Sequence, residues 1–233
     1  MPTMRADADG RLFQDRRDAG RRLAAALGKY ANEDPVILAL PRGGVPLAFE
    51  IAKAFQAELD LLFVRKIGAP GQPELGIGAV VDGLHPQLVL NERLAQLTQA
   101  SDTYVNAQMA RELDEIERRR KAYKKGAPPA DVEGRVVIVV DDGIATGGTV
   151  KAALSGIGRS HPARLVLAVP VAPSETIEEL KALADEVVCL AMPEPFRAVG
   201  LHYVDFTQTS DSEVEELLEA AKAWRNKNRQ DNA

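Results

Sequence analysis

The stretch that decides the fold of this chain reads Val136-Val137-Ile138-Val139-Val140-Asp141-Asp142-Gly143-Ile144-Ala145-Thr146-Gly147-Gly148-Thr149. Its first five residues are apolar and β-branched, which is typical of a strand buried on both faces in the middle of a parallel sheet. Two carboxylates follow where that strand should end, and a loop of small residues comes next. Residues 150–154 then have mostly helix-forming composition. The stretch therefore predicts a strand, an acidic pair, a loop and a helix as one unit of an α/β protein.

The loop after this strand suits a phosphorylated sugar. Backbone N–H groups of residues 145–149 lie at a predicted helix N-terminus, where they can point at a phosphate. Two glycines let the backbone approach that phosphate closely, and two threonine hydroxyls are further donors. Asp141 and Asp142 would repel a phosphate, but they can accept hydrogen bonds from vicinal hydroxyls such as those of a ribose. Such ligands bind beyond the carboxyl ends of parallel strands, which is where this unit places both groups.

The same fourteen residues resemble the phosphoribosyl pyrophosphate (PRPP) motif of type I phosphoribosyltransferases. The resemblance implies that Asp141 and Asp142 hold the ribose 2′- and 3′-hydroxyls and that the loop holds the 5′-phosphate. The loop residues concerned are Gly143, Ile144, Ala145, Thr146, Gly147, Gly148 and Thr149. Competing phosphate motifs fit badly, because no Gly-Lys-Ser/Thr follows these glycines and the fingerprint GxGxxG is absent here. The alternative interpretation is an ordinary strand-to-helix turn with two solvated acids.

A second strand–loop–helix unit lies earlier in the chain. The apolar run Val36–Leu40 predicts a buried strand, and an apolar-periodic helix is predicted from about Val45 to Phe55. Between them stand the loop residues Pro41, Arg42, Gly43 and Gly44. In the resembled family the first such loop binds the pyrophosphate, often with a cis peptide just before its basic residue, which would here join Pro41 to Arg42. A tight turn with an exposed arginine is the alternative.

A basic pair and a loop rich in Gly and Pro follow the next predicted strand. That strand runs from Leu59 to Val64 and ends at Arg65 and Lys66. Residues 67–76 contain two prolines and three glycines, so we expect neither helix nor strand there. The segment resembles the mobile catalytic loop of the family, which folds over PRPP and excludes water before the glycosidic bond breaks. A surface loop with a solvated basic pair is the alternative.

The segment from Met192 to Phe206 is irregular, aromatic and polar at once. In the resembled family the corresponding segment belongs to the hood, which covers the nucleobase and stacks an aromatic ring on it. Phe196 is the candidate for that ring and Tyr203 is the runner-up. A packed loop anchored by Phe196 and Phe206 is the alternative.

These units predict an α/β fold of the type I phosphoribosyltransferase kind, Rossmann-like, with a mainly parallel sheet flanked by helices. We expect residues 1–233 to form one domain, with a core over about 30–190 and a helical insertion over about 91–127. The hood would comprise about 191–210 together with the N-terminal segment. A helix is predicted over Leu12–Leu27, and its arginines at 11, 16, 17, 21 and 22 are interpreted as a solvated face.

Composition narrows the class of partner. The formal net charge is −5, so the chain has no global basic field to attract nucleic acid or anionic lipid. It has neither an apolar run of about eighteen residues nor a signal-peptide core, so we expect no membrane partner and a cytoplasmic location. The single cysteine, Cys189, is interpreted as a small buried hydrophobe. The family makes a homodimer plausible, although nothing in the composition argues for it.

The resemblance implies a Mg²⁺-dependent transfer of phosphoribosyl from PRPP to a nitrogenous base, with release of pyrophosphate. Arg42, with Arg65 or Lys66, would hold the leaving group, and Mg²⁺ would lie near Asp141 and Asp142, bound mainly through PRPP. Enzymes that act on hypoxanthine or guanine carry an aspartate where this chain has Ala145, so the acceptor stays open. The loops at 41–44 and 71–75 resemble a bacterial subgroup of unassigned acceptor.

Two other functions use the same motif. A regulator could keep the fold and bind PRPP or a nucleotide as a signal without turnover, although such proteins usually add a DNA-binding domain or a basic surface. A hydrolase would use water in place of the base. Release of pyrophosphate without any added acceptor would distinguish the hydrolase from the transferase.

Overall fold

The structure, a computed structural model, describes residues 11–231, and for residues 226–231 it describes the backbone only. Its strands are β1 (Val36–Ala39), β2 (Glu58–Leu61), β3 (Val64–Ala69), β4 (Gln72–Val81), β5 (Gln87–Leu90), β6 (Val136–Val140), β7 (Arg164–Val171) and β8 (Glu186–Ala191). Its α-helices are α1 (Arg16–Ala26), α2 (Gly44–Phe55), α3 (Glu92–Leu97), α4 (Asp102–Lys124), α5 (Gly148–Gly158), α6 (Ser174–Leu180) and α7 (Asp211–Asp231). Short 3₁₀ turns lie at Gly28–Tyr30 and Val199–His202.

A parallel sheet of five strands, in the order β2-β1-β6-β7-β8, forms the centre of the protein. The valine-rich run of β6 is its middle strand, paired with β1 on one side and β7 on the other. All five β6 residues are buried, as the β-branched run predicts. Because the strands are parallel, the loops after β1, β6 and β7 leave the same edge of the sheet.

Alternate residues of β6 face two separate hydrophobic cores. Ile138 packs into the core that α1, α2 and α7 cover. Val139 packs into the opposite core, under α5 and α6. Burial of each such side chain contributes about 1.5–3 kcal/mol, so the run anchors the sheet to both helical layers. The predicted α/β architecture, a mainly parallel sheet flanked by helices, is therefore confirmed.

The segment 67–76 is a β-hairpin, so the prediction that it forms neither helix nor strand was wrong. Strands β3, β4 and β5 pair antiparallel in a second sheet. Pro70 and Gly71 make the tight turn, with Gly71 at φ 71°. Pro73 lies in the exposed outer part of β4, and the pairing shifts register on both sides of Gly68. Proline is tolerated at such edges and bulges, because the missing N–H is not needed by a neighbouring strand.

The helical insertion predicted over about 91–127 consists of two helices, α3 and α4. The chain breaks after α3, where Gln99 takes a left-handed conformation at φ 53°. Ser101 then caps α4, and its side chain accepts a hydrogen bond from the N–H of Tyr104 at 3.2 Å. Serine is a favoured N-cap residue and so marks the start of a helix. The signal is easy to miss in the sequence because the charges are spread evenly along this stretch. Within residues 11–231, every helix is too short or too polar to cross a lipid bilayer.

The segment after β8 pairs with the beginning of the described chain. Phe13 and Tyr203 form a parallel bridge, and the carbonyl of His202 accepts hydrogen bonds from the N–H groups of Leu12 and Phe13. The helix predicted from Leu12 therefore begins later, at Arg16, where the Asp15 side chain caps it by accepting the N–H of Asp18 at 2.7 Å. These contacts hold α1 beside the segment predicted to be the hood.

Candidate active site

The acidic pair lies at the carboxyl end of β6, in direct contact with the loop that follows β1. The N–H of Asp142 donates to Oδ1 of Asp141 at 2.9 Å, which fixes the two acids relative to each other. A Cβ atom built on Gly43 would lie only 2.1 Å from Oδ2 of Asp142. Gly43 has φ −60° and ψ −36°, a conformation open to any residue, so the close approach is what requires glycine. The loop after β1 and the acidic pair at the end of β6 therefore lie in direct contact.

The loop after β1 has the conformation that the family resemblance implies. The peptide bond between Pro41 and Arg42 is cis. Gly44 begins α2, and a Cβ atom there would lie 2.5 Å from the backbone oxygen of Val140 at the end of β6. The backbone of 41–44 therefore passes as near to the acidic pair as packing allows.

The loop after β6 presents backbone donors at the start of α5. Gly147 is the N-cap of this helix and takes φ 74°, a left-handed conformation that glycine adopts without strain. The first N–H groups of a helix have no partner within the helix, so those of α5 are open to an anion. Ala145, Thr146, Gly148 and Thr149 are exposed. Ile144 differs, since its side chain is buried and its N–H donates to the carbonyl of Val171 at 2.9 Å.

Both carboxyl groups lie in an environment that disfavours the ionised form. Burial, and then the neighbouring charge of Asp142, raise the pKa of Asp141 well above its ordinary value. Burial also raises the pKa of Asp142, while the Arg16 guanidinium opposes that rise. Two carboxylates this close lower their energy when a cation or hydroxyl donors face them.

Arg16 was interpreted as part of a solvated face, and the structure corrects this. Its side chain is only 11% exposed, and its Nε and Nη2 atoms each lie 2.8 Å from Oδ2 of Asp142. Its Nη1 donates to the carbonyl of Thr207 at 2.7 Å, and its guanidinium lies 3.9 Å from the centroid of the Phe206 ring. Helical periodicity could not separate Arg16 from the partly exposed Arg17 beside it, because the partner of Arg16 is 126 residues away.

The three basic residues predicted to hold pyrophosphate each pair with an acid in this structure. Arg42 lies 3.2 Å from Asp211 at the start of α7, and Arg65 donates to Glu112 of α4 at 2.7 Å. Lys66 donates to the side chain of Glu74 in the hairpin at 3.2 Å. Arg65 and Lys66 nevertheless line the same groove of about 760 Å³ as Thr146, Gly148 and Thr149 of the loop after β6. That volume lies in the range of small-molecule sites.

The two candidate base-stacking residues have different environments. Phe196 is half-buried and lines a groove together with Ala145 and Thr146, so it lies beside the loop after β6. Tyr203 is 3% exposed, and its hydroxyl donates to the backbone carbonyl of Asp142 at 2.6 Å. Its ring packs against Phe13 and Phe206. The structure therefore favours Phe196 over Tyr203 as a ring that a ligand could reach.

The donor chemistry of the site is compatible with Mg²⁺. This ion takes oxygen ligands and is usually held by one or two carboxylates together with substrate phosphates. Asp141 and Asp142 supply two adjacent carboxylates at the carboxyl end of β6. Within residues 11–231, no group of three or more His, Cys, Asp or Glu side chains is arranged to hold a metal ion.

Asp141→Asn is expected to stabilise the protein at neutral pH. Because the pKa of Asp141 is raised by folding, the folded state binds its proton more tightly than the unfolded state. Stability therefore falls as pH rises through the ordinary pKa of aspartate towards the folded value, and asparagine removes this loss. We expect urea unfolding at pH 7 to show a gain of about 0.5–2 kcal/mol, which shrinks as the pH is lowered.

Asp114→Asn is the control for this prediction. Asp114 is exposed on α4, and such substitutions change stability by within about 0.5 kcal/mol. If Asp141→Asn is no more stable than the unmodified chain at pH 7, the ionised Asp141 does not destabilise the folded protein.

Comparisons with known proteins agree with this geometry. The family model described as phosphoribosyl transferase domain matches residues 13–205. A Mycobacterium tuberculosis protein, named only as a candidate phosphoribosyl transferase, is 47% identical over 213 residues, which cover 91% of this chain and 47% of that protein. The chain thus spans about half the length of this relative. The crystal structure of TT1426 from Thermus thermophilus is similar at a TM-score of 0.77 and 46% identity, covering 88% of this chain and 97% of that one.

Proposed function

Because the chain belongs to the phosphoribosyl transferase domain family, we propose that it transfers phosphoribosyl from PRPP to a nitrogenous base and releases pyrophosphate. The observation that carries the proposal is the contact between the acidic pair and the two phosphate-binding loops. Gly43 lies against Asp142, and the phosphate loop follows directly in the chain. A single ligand with a phosphate, two hydroxyls and a diphosphate would contact all three parts.

The roles of the residues follow from charge. Asp141 and Asp142 would accept hydrogen bonds from the ribose hydroxyls, and residues 143–149 would hold the 5′-phosphate at the start of α5. The backbone of 41–44 would face the diphosphate. When the bond from the ribose to the diphosphate breaks, positive charge builds on the sugar, and the two carboxylates are placed to favour it.

Magnesium and the hairpin would complete the site. Mg²⁺ bound with PRPP would neutralise the departing pyrophosphate. Arg65 and Lys66, at the base of the hairpin, line the groove that contains the phosphate loop. To reach the ligand, each would exchange its present partner, Glu112 or Glu74, for a phosphate. The hairpin would then close the groove against water.

The acceptor would lie under Phe196, as a flat nitrogenous ring stacked on the phenyl face. Position 145 in the groove beside Phe196 is an alanine, which cannot exchange a proton with a ring nitrogen as an aspartate would; the carboxylates of that groove are those of Glu175 and Glu194. We therefore propose an acceptor that needs no carboxylate at position 145, which makes hypoxanthine and guanine less favoured than other bases.

Calorimetric titration of PRPP, with and without Mg²⁺, tests this function. We expect binding that depends on Mg²⁺ and that Asp142→Asn weakens about tenfold, because one charge-assisted hydrogen bond to the ribose is lost. Pyrophosphate release is then measured with a panel of bases. Release only with an added base supports the transferase, and release without one supports the hydrolase.

Two further outcomes would change the interpretation. Tight PRPP binding without any release would support a regulator that senses PRPP. Absence of PRPP binding by the folded protein would overturn the proposal.

A further inference from the structure

Arg16 is the basic residue that reaches the acidic pair. Arg42, Arg65 and Lys66, the cations that the sequence suggests, pair with acids on α7, α4 and the hairpin. Arg16 instead places two nitrogens at 2.8 Å from one oxygen of Asp142. It comes from the first turn of α1, an element that the family motifs in this chain do not include.

The guanidinium of Arg16 is held from three directions. Asp142 binds one edge, the carbonyl of Thr207 accepts from Nη1 at 2.7 Å, and the ring of Phe206 covers its face at 3.9 Å. A planar guanidinium whose donors are already engaged in this way loses little further conformational entropy when a ligand binds. The arrangement is therefore typical of a fixed support rather than of a side chain that swings onto a substrate.

The two carboxylate oxygens of Asp142 have different surroundings. Both Arg16 contacts go to Oδ2, the oxygen that also lies against Gly43. Oδ1 of Asp142 accepts no hydrogen bond from another residue in the part of the chain that the structure describes. It is therefore the oxygen left for a hydroxyl group of a ligand.

We propose that Arg16 is a positioning residue for the ribose, which orients the Asp142 carboxylate so that Oδ1 accepts a ribose hydroxyl. The inference rests on the proposed function, because it assumes that a ribose phosphate binds at the acidic pair. It adds a residue from α1 to the site and gives the hood segment a second role. Thr207 and Phe206 hold Arg16, while Tyr203 donates to the backbone carbonyl of Asp142 at 2.6 Å.

Paired ligands separate this role from a merely structural one. Ribose 5-phosphate contains both the phosphate and the hydroxyls, whereas inorganic phosphate lacks the hydroxyls and probes only the proposed phosphate-binding loops at 41–44 and 143–149. We expect Arg16→Ala to weaken ribose 5-phosphate binding about tenfold and inorganic phosphate binding less than twofold. A general loosening of the site would weaken both ligands to a similar extent.

Two further variants sharpen the test. Arg16→Lys keeps the positive charge but lacks the planar guanidinium. We therefore expect the affinity for ribose 5-phosphate to fall about two- to fivefold and the affinity for inorganic phosphate to stay unchanged. It also serves if the alanine variant folds poorly. Arg17→Ala, which removes a partly exposed pair with Glu50 from the next position of α1, is expected to change neither affinity. Thermal melting of each variant checks that the chain is folded.

The outcomes of these experiments test the role of Arg16 separately from the proposed function. If the unmodified protein binds ribose 5-phosphate and the Arg16 variants keep the same preference for it over phosphate, the positioning role is overturned and the proposed function stands. Equal weakening of both ligands would also overturn it. If the unmodified folded protein binds neither ribose 5-phosphate nor PRPP, the proposed function fails and this inference fails with it.

Discussion

Gly43→Ala is expected to weaken the affinity for PRPP at least 100-fold while the protein still folds. The backbone at Gly43 suits alanine, so the change adds only a methyl group, placed 2.1 Å from Oδ2 of Asp142. That carboxylate would have to move away from both Arg16 and the ribose. Loss of a charge-assisted hydrogen bond costs about 1.5–3 kcal/mol, and displacement of the 41–44 loop adds to it. A hundredfold change corresponds to about 2.8 kcal/mol.

Calorimetry with PRPP and Mg²⁺ measures this effect, and Gly28→Ala is its control. A Cβ atom on Gly28 meets no atom within 4 Å, and this residue lies at the end of α1 away from the acidic pair. We expect the control to bind PRPP as the unmodified chain does. Unchanged affinity of Gly43→Ala would mean that the position of the Asp142 carboxylate does not determine binding.

Arg120→Met is expected to lower the free energy of unfolding by about 3–5 kcal/mol. Arg120 of α4 and Asp82 at the end of β4 form an ion pair in which each side chain is 5% exposed. Removal of the cation leaves Asp82 buried and charged, with the N–H of Gly83 as a hydrogen-bond donor at 2.9 Å. For a chain of this size the loss corresponds to a fall of roughly 6–20 °C in melting temperature.

The pH dependence and a matched control identify the cause. Burial raises the pKa of Asp82 even with Arg120 present, and loss of Arg120 would raise it further. A folded-state pKa above the unfolded value lowers stability as pH rises, so the loss is largest at pH 7–8 and smaller at pH 5. Arg118→Met, which breaks an exposed pair with Glu115, is expected to cost at most about 1 kcal/mol. Adding Asp82→Asn to Arg120→Met should recover most of the loss, and failure to do so would contradict this account.

The parts of the fold that follow from local chemistry could be predicted from the sequence. A run of β-branched residues with acids at its end predicts both a central strand and the edge of the sheet where ligands bind. The hairpin at 67–76 could not be predicted in this way, because Pro73 is compatible with a strand only if that strand is exposed. Exposure is a property of the fold and not of the local sequence.

The residues of the candidate site differ in the same way: some follow from local sequence motifs, and others depend on contacts made only in the folded protein. Asp141, Asp142 and the loops at 41–44 and 143–149 are contiguous motifs, and the structure places Gly43 of the first loop against Asp142. Arg16 could not be found, because its importance comes from partners more than 120 residues away and its own helix offers no distinguishing pattern. The burial of Tyr203 could not be predicted either, because its hydroxyl donates to the backbone carbonyl of Asp142, 61 residues away in the chain.

The position of β6 between β1 and β7 has a consequence for synthesis on the ribosome. β1 begins at Val36, but the strand that covers its inner edge begins only at Val136. At roughly 5–20 residues per second, the nascent chain would carry that apolar edge without its partner for roughly 5–20 seconds. Open strand edges of this kind associate with other chains. Strand β6, which leads into the acidic pair, is therefore also the strand that covers this edge of β1, and a chain released before β6 emerges would carry an uncovered, aggregation-prone edge.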